Sequence, residues 1–265
     1  MKIIHWLIFV AVLGMYSLPL VAAPISIQHQ HLSSFQLEID QDANISKINH
    51  LDASDSGGTC SGVAIAPHII STAKHCLYSE TTGLLAYHKL SVNGDLVVVL
   101  SVIPDITDHV LIVVDKTFPN YVKVSSKTLA VNDDIHFWGN PNNLYDMYRR
   151  GYVSNHEKCQ TTFDSNGFFG DSGSGVFNSD GEIVATISAL FASNSLIPRG
   201  SPLDLHAPPP TVVELKFMTA FPYSFTESQL ESIGLNGIKE NSPYHGLLAV
   251  SSTDSEIIAC MRSTT

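Results

Sequence analysis

The clearest chemical signal in the chain is the run Gly170-Asp171-Ser172-Gly173-Ser174-Gly175. A serine hydroxyl is a weak nucleophile near neutral pH and needs a base beside it. It also needs a tight turn that exposes it, and main-chain N–H groups aimed at the oxyanion that forms on attack. Glycines on both sides supply such a turn, because no Cβ blocks the substrate or the backbone. The sequence then reads strand, turn, strand: Val176-Phe177, Asn178 to Gly181, Glu182 to Ser188. By itself the run reads equally well as an ordinary Gly/Ser turn. A second signal lies upstream. His75 stands directly before Cys76 at the end of an apolar strand, and Cys60 lies 16 residues earlier.

Together these motifs resemble a known family. Thr72-Ala73-Lys74-His75-Cys76 is similar to the Thr/Ser-Ala-Ala-His-Cys motif of trypsin-like serine proteases, with Lys74 where alanine is usual. The resemblance implies a disulfide between Cys60 and Cys76 that staples the histidine loop. It also implies an acid between His75 and Ser172, since the family's triad runs His, Asp, Ser along the chain. Asp108-His109-Val110-Leu111-Ile112 resembles the family's Asp-Ile-Ala-Leu-Leu segment, an acid leading a buried strand. Asp108 is preferred to Asp105, which follows Pro104 and lacks the immediate apolar run, and to Asp115, which closes a strand. The implied roles are His75 as general base and acid, Asp108 as the group that holds its tautomer, and Ser172 as nucleophile. The N–H groups of Gly170 and Ser172 would form the oxyanion hole. Further echoes are Phe137-Trp138-Gly139, like the family's Gly-Trp-Gly, and Glu214 to Thr219 followed by a helix near 224–234. The resemblance spans residues 55 to 235. Its motif separations, 33 residues from His75 to Asp108 and 64 from Asp108 to Ser172, are as compact as those of bacterial and viral branches.

The resemblance also bears on specificity and activation. Asn166, six residues before the nucleophile, takes the place of the pocket floor, where an aspartate would select Arg and Lys. Ser188-Ala189-Leu190 matches the substrate-binding strand, with Leu190 in place of a glycine that keeps the pocket open. Ile187 replaces the histidine of glutamate-specific relatives. A preference for small or medium uncharged side chains follows. No Arg-Ile-Val-Gly-Gly activation sequence is present. The nearest match, Lys47-Ile48-Asn49-His50, lies too near His75. The chain therefore reads as a protease that needs no such cleavage, with the partner of Asp171 left open.

These residues need a scaffold. Short β-branched runs alternate with turns: Val63-Ala64-Ile65, His68 to Ser71, Leu96 to Leu100, Val110 to Val114, Ile135 to Trp138, Gly175 to Phe177, Ile183 to Ile187 and Glu214 to Thr219. Many short strands with regular turns predict an all-β sandwich or barrel. One helix is predicted, capped by Ser224 or Thr226, with Leu230 and Ile233 on one face before Gly234. With the resemblance, the expected architecture is two six-stranded antiparallel Greek-key barrels, a C-terminal helix and a short tail. The expected segments are 1–23, a signal peptide; 24–54, an arm or first strand; 55–125, a first barrel with His75 and Asp108; 126–235, a second with Ser172; and 236–265, an extension. The signal reading rests on Met1-Lys2, the apolar run Ile3 to Leu13 and the small-residue end Val21-Ala22-Ala23. That apolar core is shorter than the ~20 residues of a spanning helix, so no stable membrane anchor is expected.

Composition narrows the function classes. The chain has 265 residues with 44% apolar and 15% charged, which argues against a largely disordered chain. The net charge of -11, without a basic stripe, disfavours nucleic-acid binding. Twelve histidines show no tight ligand spacing, so no metal or cofactor is expected. Cys159 and Cys260 remain after the first pair, and a second disulfide is favoured over two free thiols in an oxidising compartment. The sequence thus predicts a secreted or periplasmic monomeric serine endopeptidase acting on protein or peptide substrates. The alternative is a catalytically silent fold kept as a binding module.

Overall fold

The computed structural model describes residues 25–41, 57–79, 82–157, 159–197 and 211–248. The N-terminal arm opens with a short helix, α1 (Ile27–Leu32), and leads into strand β1 (Ser34–Gln41). The strands β2 (Gly57–Ala66), β3 (Ile69–Ala73), β4 (Tyr87–Val92), β5 (Asp95–Val97), β6 (Val99–Pro104) and β7 (His109–Val114) join β1 in one antiparallel sheet, ordered β5-β4-β1-β2-β3-β7-β6. A second sheet holds β8 (Asp134–Gly139), β9 (Met147–His156), β10 (Thr161–Asp164), β11 (Gly175–Phe177), β12 (Ile183–Thr186), β13 (Ala189–Ile197) and β14 (Thr211–Ala220), ordered β12-β11-β8-β9-β10-β14-β13. Two curled antiparallel sheets, with few helices, are the chymotrypsin-like architecture expected from the sequence.

Seven strands per sheet reconcile with six because each sheet is closed by one bent run. β5 and β6 lie at opposite edges of the first sheet, yet only Val98 separates them. Asp115 holds that bend. Its carboxylate accepts the Val98 N–H at 2.9 Å, and its own N–H donates to Val98 O at 3.1 Å. In the second sheet the edge strands β12 and β13 are separated by Ile187 and Ser188, and the Ser188 N–H already pairs with Thr219 O at 2.9 Å. A chain that leaves one edge and rejoins the other curls the sheet and removes its open edges.

Among the described residues, three apolar clusters follow from this closure. Phe35, Leu37, Ile70, Leu90, Val110 and Ile112 fill the first barrel, and Ile135, Phe137, Val153, Phe163, Val176 and Met218 fill the second. A third cluster lies between the barrels and takes in Val63, Leu111, Trp138, Phe177, Phe225 and Leu230. Leu230 belongs to α2 (Glu227–Ser232). Thr226 caps α2: its hydroxyl accepts the Gln229 N–H, and the Gln229 side chain returns to the Thr226 N–H. Gly234, at φ +84, ends it. Residues 236–248, set apart as the start of an extension, pack against this core. Leu247 is fully buried, and its carbonyl accepts the Phe225 N–H. The expected signal peptide and residues 249–265 lie outside the described residues.

Candidate active site

Strand register brings the first two residues together. β3 and β7 pair antiparallel with Ala73 opposite His109. One step further, the Lys74 N–H donates to Asp108 O at 3.0 Å. Asp108 and His75 therefore leave the sheet side by side at the same edge. His75 sits in the 3₁₀ turn Lys74–Cys76. One Asp108 oxygen accepts the His75 main-chain N–H at 2.9 Å, and the other lies 2.8 Å from His75 Nδ1. A carboxylate that grips both backbone and ring fixes the imidazole's rotation and holds its proton on Nδ1, leaving Nε2 as the acceptor. Cys60 and Cys76 form the implied disulfide, which ties this turn to β2.

Asp115 and Asp105 have other work. Asp115 holds the β5–β6 bend. Asp105 is buried with His109, whose N–H and Nδ1 lie 3.0 and 2.9 Å from its two oxygens. It also accepts from Thr107 Oγ1, and from the N–H and hydroxyl of Ser224. Burial pushes this carboxyl up, but His109 and Thr107 outweigh burial and hold it below the ordinary aspartate range.

Ser172 comes from the second barrel, on the turn that enters β11. Its carbonyl accepts the Ser61 N–H from β2 at 2.7 Å, and lies 3.9 Å from Cys76 Sγ. Gly173 (φ +87) packs so closely on β2 and β3 that a Cβ there would overlap Thr72 Oγ1 and Ser61 O. The Ser172 turn is thus docked by its main chain against the strands that carry the histidine turn.

Peptide planarity fixes two N–H directions in this turn. Phe169 C=O accepts the Asn142 N–H at 2.7 Å. The Gly170 N–H belongs to the same trans peptide and points the opposite way. Asp171 C=O accepts the Ser174 N–H at 2.9 Å, which turns the Ser172 N–H away in the same manner. Among the described residues neither N–H has an acceptor.

Asp171 finds its partner inside the protein. Arg149, on β9, faces it with both terminal nitrogens; Nη1 is 2.6 Å from Oδ2, and Nη2 pairs with Oδ1. The Asp171 side chain is 1% exposed and that of Arg149 15%. Burial pushes the carboxyl up, while the Arg149 guanidinium and the Phe168 N–H draw it back. Gly139 makes room for the pair, since a Cβ there would collide with Asp171 Oδ1 and Arg149 Nη2.

The expected specificity residues are placed more loosely. Asn166 is exposed, and its carbonyl accepts from Arg149 Nη1 at 3.0 Å. Ser188 is buried at the β12–β13 link. Leu190 pairs with Met218 in the β13–β14 ladder, and its side chain lies outside the described residues. Cys159 is disulfide-bonded; Cys260, its expected partner, lies outside the described residues. Among the described residues no group of His, Cys, Asp and Glu could hold a metal, and no helix is long and apolar enough to cross a membrane.

Comparison with known proteins agrees with this fold. A model of the trypsin-like peptidase domain matches residues 60–185. Over those residues the chain is similar to the trypsin-like peptidase domain. The domain has the fold of a Glu endopeptidase solved in complex with MPD, at 14% identity and a TM-score of 0.51, covering 80% of this chain and 94% of that one. It is equally similar to the active form of the Rv3671c protease from M. tuberculosis, at 10% identity and a TM-score of 0.52, covering 84% and 92%. No curated protein matches the sequence. Three neighbours of the site were not legible as such in the sequence: Arg149, Ser61 and Asn140. Arg149 is one of few basic residues in an acidic chain, which is a weak signal. Ser61 and Asn140 carried none.

Proposed function

We propose that this protein is a serine endopeptidase that cleaves through an acyl-enzyme intermediate, with Ser172 as nucleophile, His75 as general base and Asp108 as its orienting acid. The observation that carries the reading is the two-handed grip of Asp108 on His75, beside the docked Ser172 turn. In this mechanism His75 Nε2 takes the Ser172 proton as Oγ attacks the scissile carbonyl. The N–H groups of Gly170 and Ser172 receive the oxyanion. His75 then returns the proton to the leaving amine, and water repeats the sequence on the ester.

The Arg149–Asp171 pair supports a protease that needs no cleavage to form its site. A positive partner for the buried Asp171 is supplied by β9, so a freed N-terminal ammonium is not required. Asn166 in place of the aspartate that the resemblance would put at a pocket floor, and Ile187 in place of a histidine, support a preference for small or medium uncharged side chains at the scissile position. The N-terminal apolar run and the disulfide support an extracytoplasmic location.

Asp108→Asn is the test of the assigned roles. It preserves size but favours the wrong imidazole tautomer, so kcat on a peptide library should fall about 10⁴-fold. Activity within about tenfold of wild type would remove Asp108 from the mechanism. A wild-type profile dominated by Arg, Lys or Glu would overturn the specificity.

A further inference from the structure

Ser61 stands next to Cys60 on β2, in the first barrel, yet it holds the second barrel's nucleophile turn in two places. Its N–H donates to Ser172 O at 2.7 Å, and its hydroxyl donates to Gly170 O at 2.8 Å. Ser61 is fully buried, so these bonds face no competition from water. Asn140, 5% exposed at the end of β8, completes the arrangement. Its N–H and side-chain Nδ2 both donate to Ser61 Oγ, at 3.2 and 2.9 Å. A hydroxyl that accepts two such bonds has its one proton left for Gly170 O. Asn140 is itself fixed, with Nδ2 also donating to Phe35 O at 3.2 Å and Oδ1 accepting the Asp146 N–H at 3.0 Å. The Asn140 carbonyl then packs so closely on Gly170 that a Cβ there would overlap it.

We propose that Ser61 and Asn140 are positioning residues that clamp the Gly170–Ser172 main chain in the orientation an oxyanion hole requires. This rests on the protease reading above. Gly170, at φ +101, takes a backbone conformation that only a residue without a side chain adopts readily. Two carbonyls flank that point. Phe169 O is held by Asn142, on the 3₁₀ turn Pro141–Asn143 that follows Asn140 directly, and Gly170 O is held by Ser61. Release of Phe169 O lets the plane that carries the Gly170 N–H turn. Release of Gly170 O frees the next plane, whose own N–H donates to Phe168 O. That plane joins the planes carrying the Gly170 and Ser172 N–H groups, so its rotation passes to both. The clamp therefore acts on the transition state through the loop and touches neither substrate nor the reacting atoms.

Two variants and two readouts test the proposal on the purified protein. Ser61→Ala removes the hydroxyl. Asn140→Asp keeps the size and the acceptor for the Asp146 N–H, but its carboxylate competes for the Ser61 proton, so it serves if Ser61→Ala does not fold. The first readout, amide hydrogen exchange over residues 166–174, needs no activity. The clamp predicts exchange there faster by about tenfold or more, with the barrel strands unchanged. The second is steady-state kinetics, where kcat should fall about tenfold or more while KM stays within about twofold. Unchanged exchange in a folded variant overturns the clamp. Faster exchange with unchanged kcat overturns its role in positioning. A wild-type protein without Ser172-dependent activity overturns the protease reading, and the exchange result still decides whether the loop is clamped.

Discussion

Asp171 precedes the proposed nucleophile with its carboxylate buried, and Arg149 is its counter-charge. Loss of one partner from such a pair leaves a charge that neither water nor protein neutralises. Arg149→Met should therefore cost about 3–5 kcal/mol of stability near neutral pH, read from urea unfolding. Burial already pushes the Asp171 carboxyl up, and without Arg149 it rises further. The sign follows: a carboxyl raised in the folded state favours folding below its unfolded pKa and loses that contribution as pH rises through the folded value. The deficit of Arg149→Met should be larger at pH 8 than at pH 5. An equal deficit at both would mean that Asp171 stays ionised in the variant throughout, or that Arg149 acts only by packing over Phe137. Asp171, Ser172 and His75 were legible because their motifs are contiguous. Arg149 was not, because its pairing joins two elements 22 residues apart with no spacing rule behind it. Ser61 reads from sequence as one more strand residue; only the approach of the second barrel gives its hydroxyl a purpose.

At the scale of elements, legibility followed burial pattern. β3, β7 and β11 are apolar runs buried on both faces and stand out in the sequence. β9 does not, since nearly all of its ten residues are exposed or half-exposed and no alternation survives. α1 was missed because it buries only Gln30 and has no apolar face. It docks by polar contacts, His31 to Asp146 at 2.5 Å and Gln30 to His136 at 2.6 Å. The C-terminal helix was legible to its cap, with Ser224 and Thr226 as rivals. The structure divides them: Thr226 caps α2, while Ser224 is committed to Asp105 across the barrel seam. Thr226→Ala should cost about 1 kcal/mol, a fall of about 2–4 °C in Tm for a chain of this size. An unchanged Tm would mean that packing of Leu230 alone holds the helix.

For the whole molecule, the order of the motifs along the chain made a two-barrel protein legible before any strand was paired. The closure of each barrel was not, because it depends on β5–β6 and β12–β13 each serving both edges of a sheet, which no local pattern records. The seam between the barrels joins the two halves of the site. His75 and Asp108 come from the first barrel and Ser172 from the second, and the sequence says nothing about how the barrels meet. Docking of Gly173 on Thr72 and of Ser172 O on Ser61 N–H supplies that link. If the site is catalytic, His75 activates one hydroxyl above every other serine in the chain. Treatment of the purified protein with a fluorophosphonate probe measures this directly. Wild type should be labelled covalently at Ser172, and Ser172→Ala should take no label. Folded wild-type protein that takes no label, or equal labelling of Ser172→Ala, would contradict it.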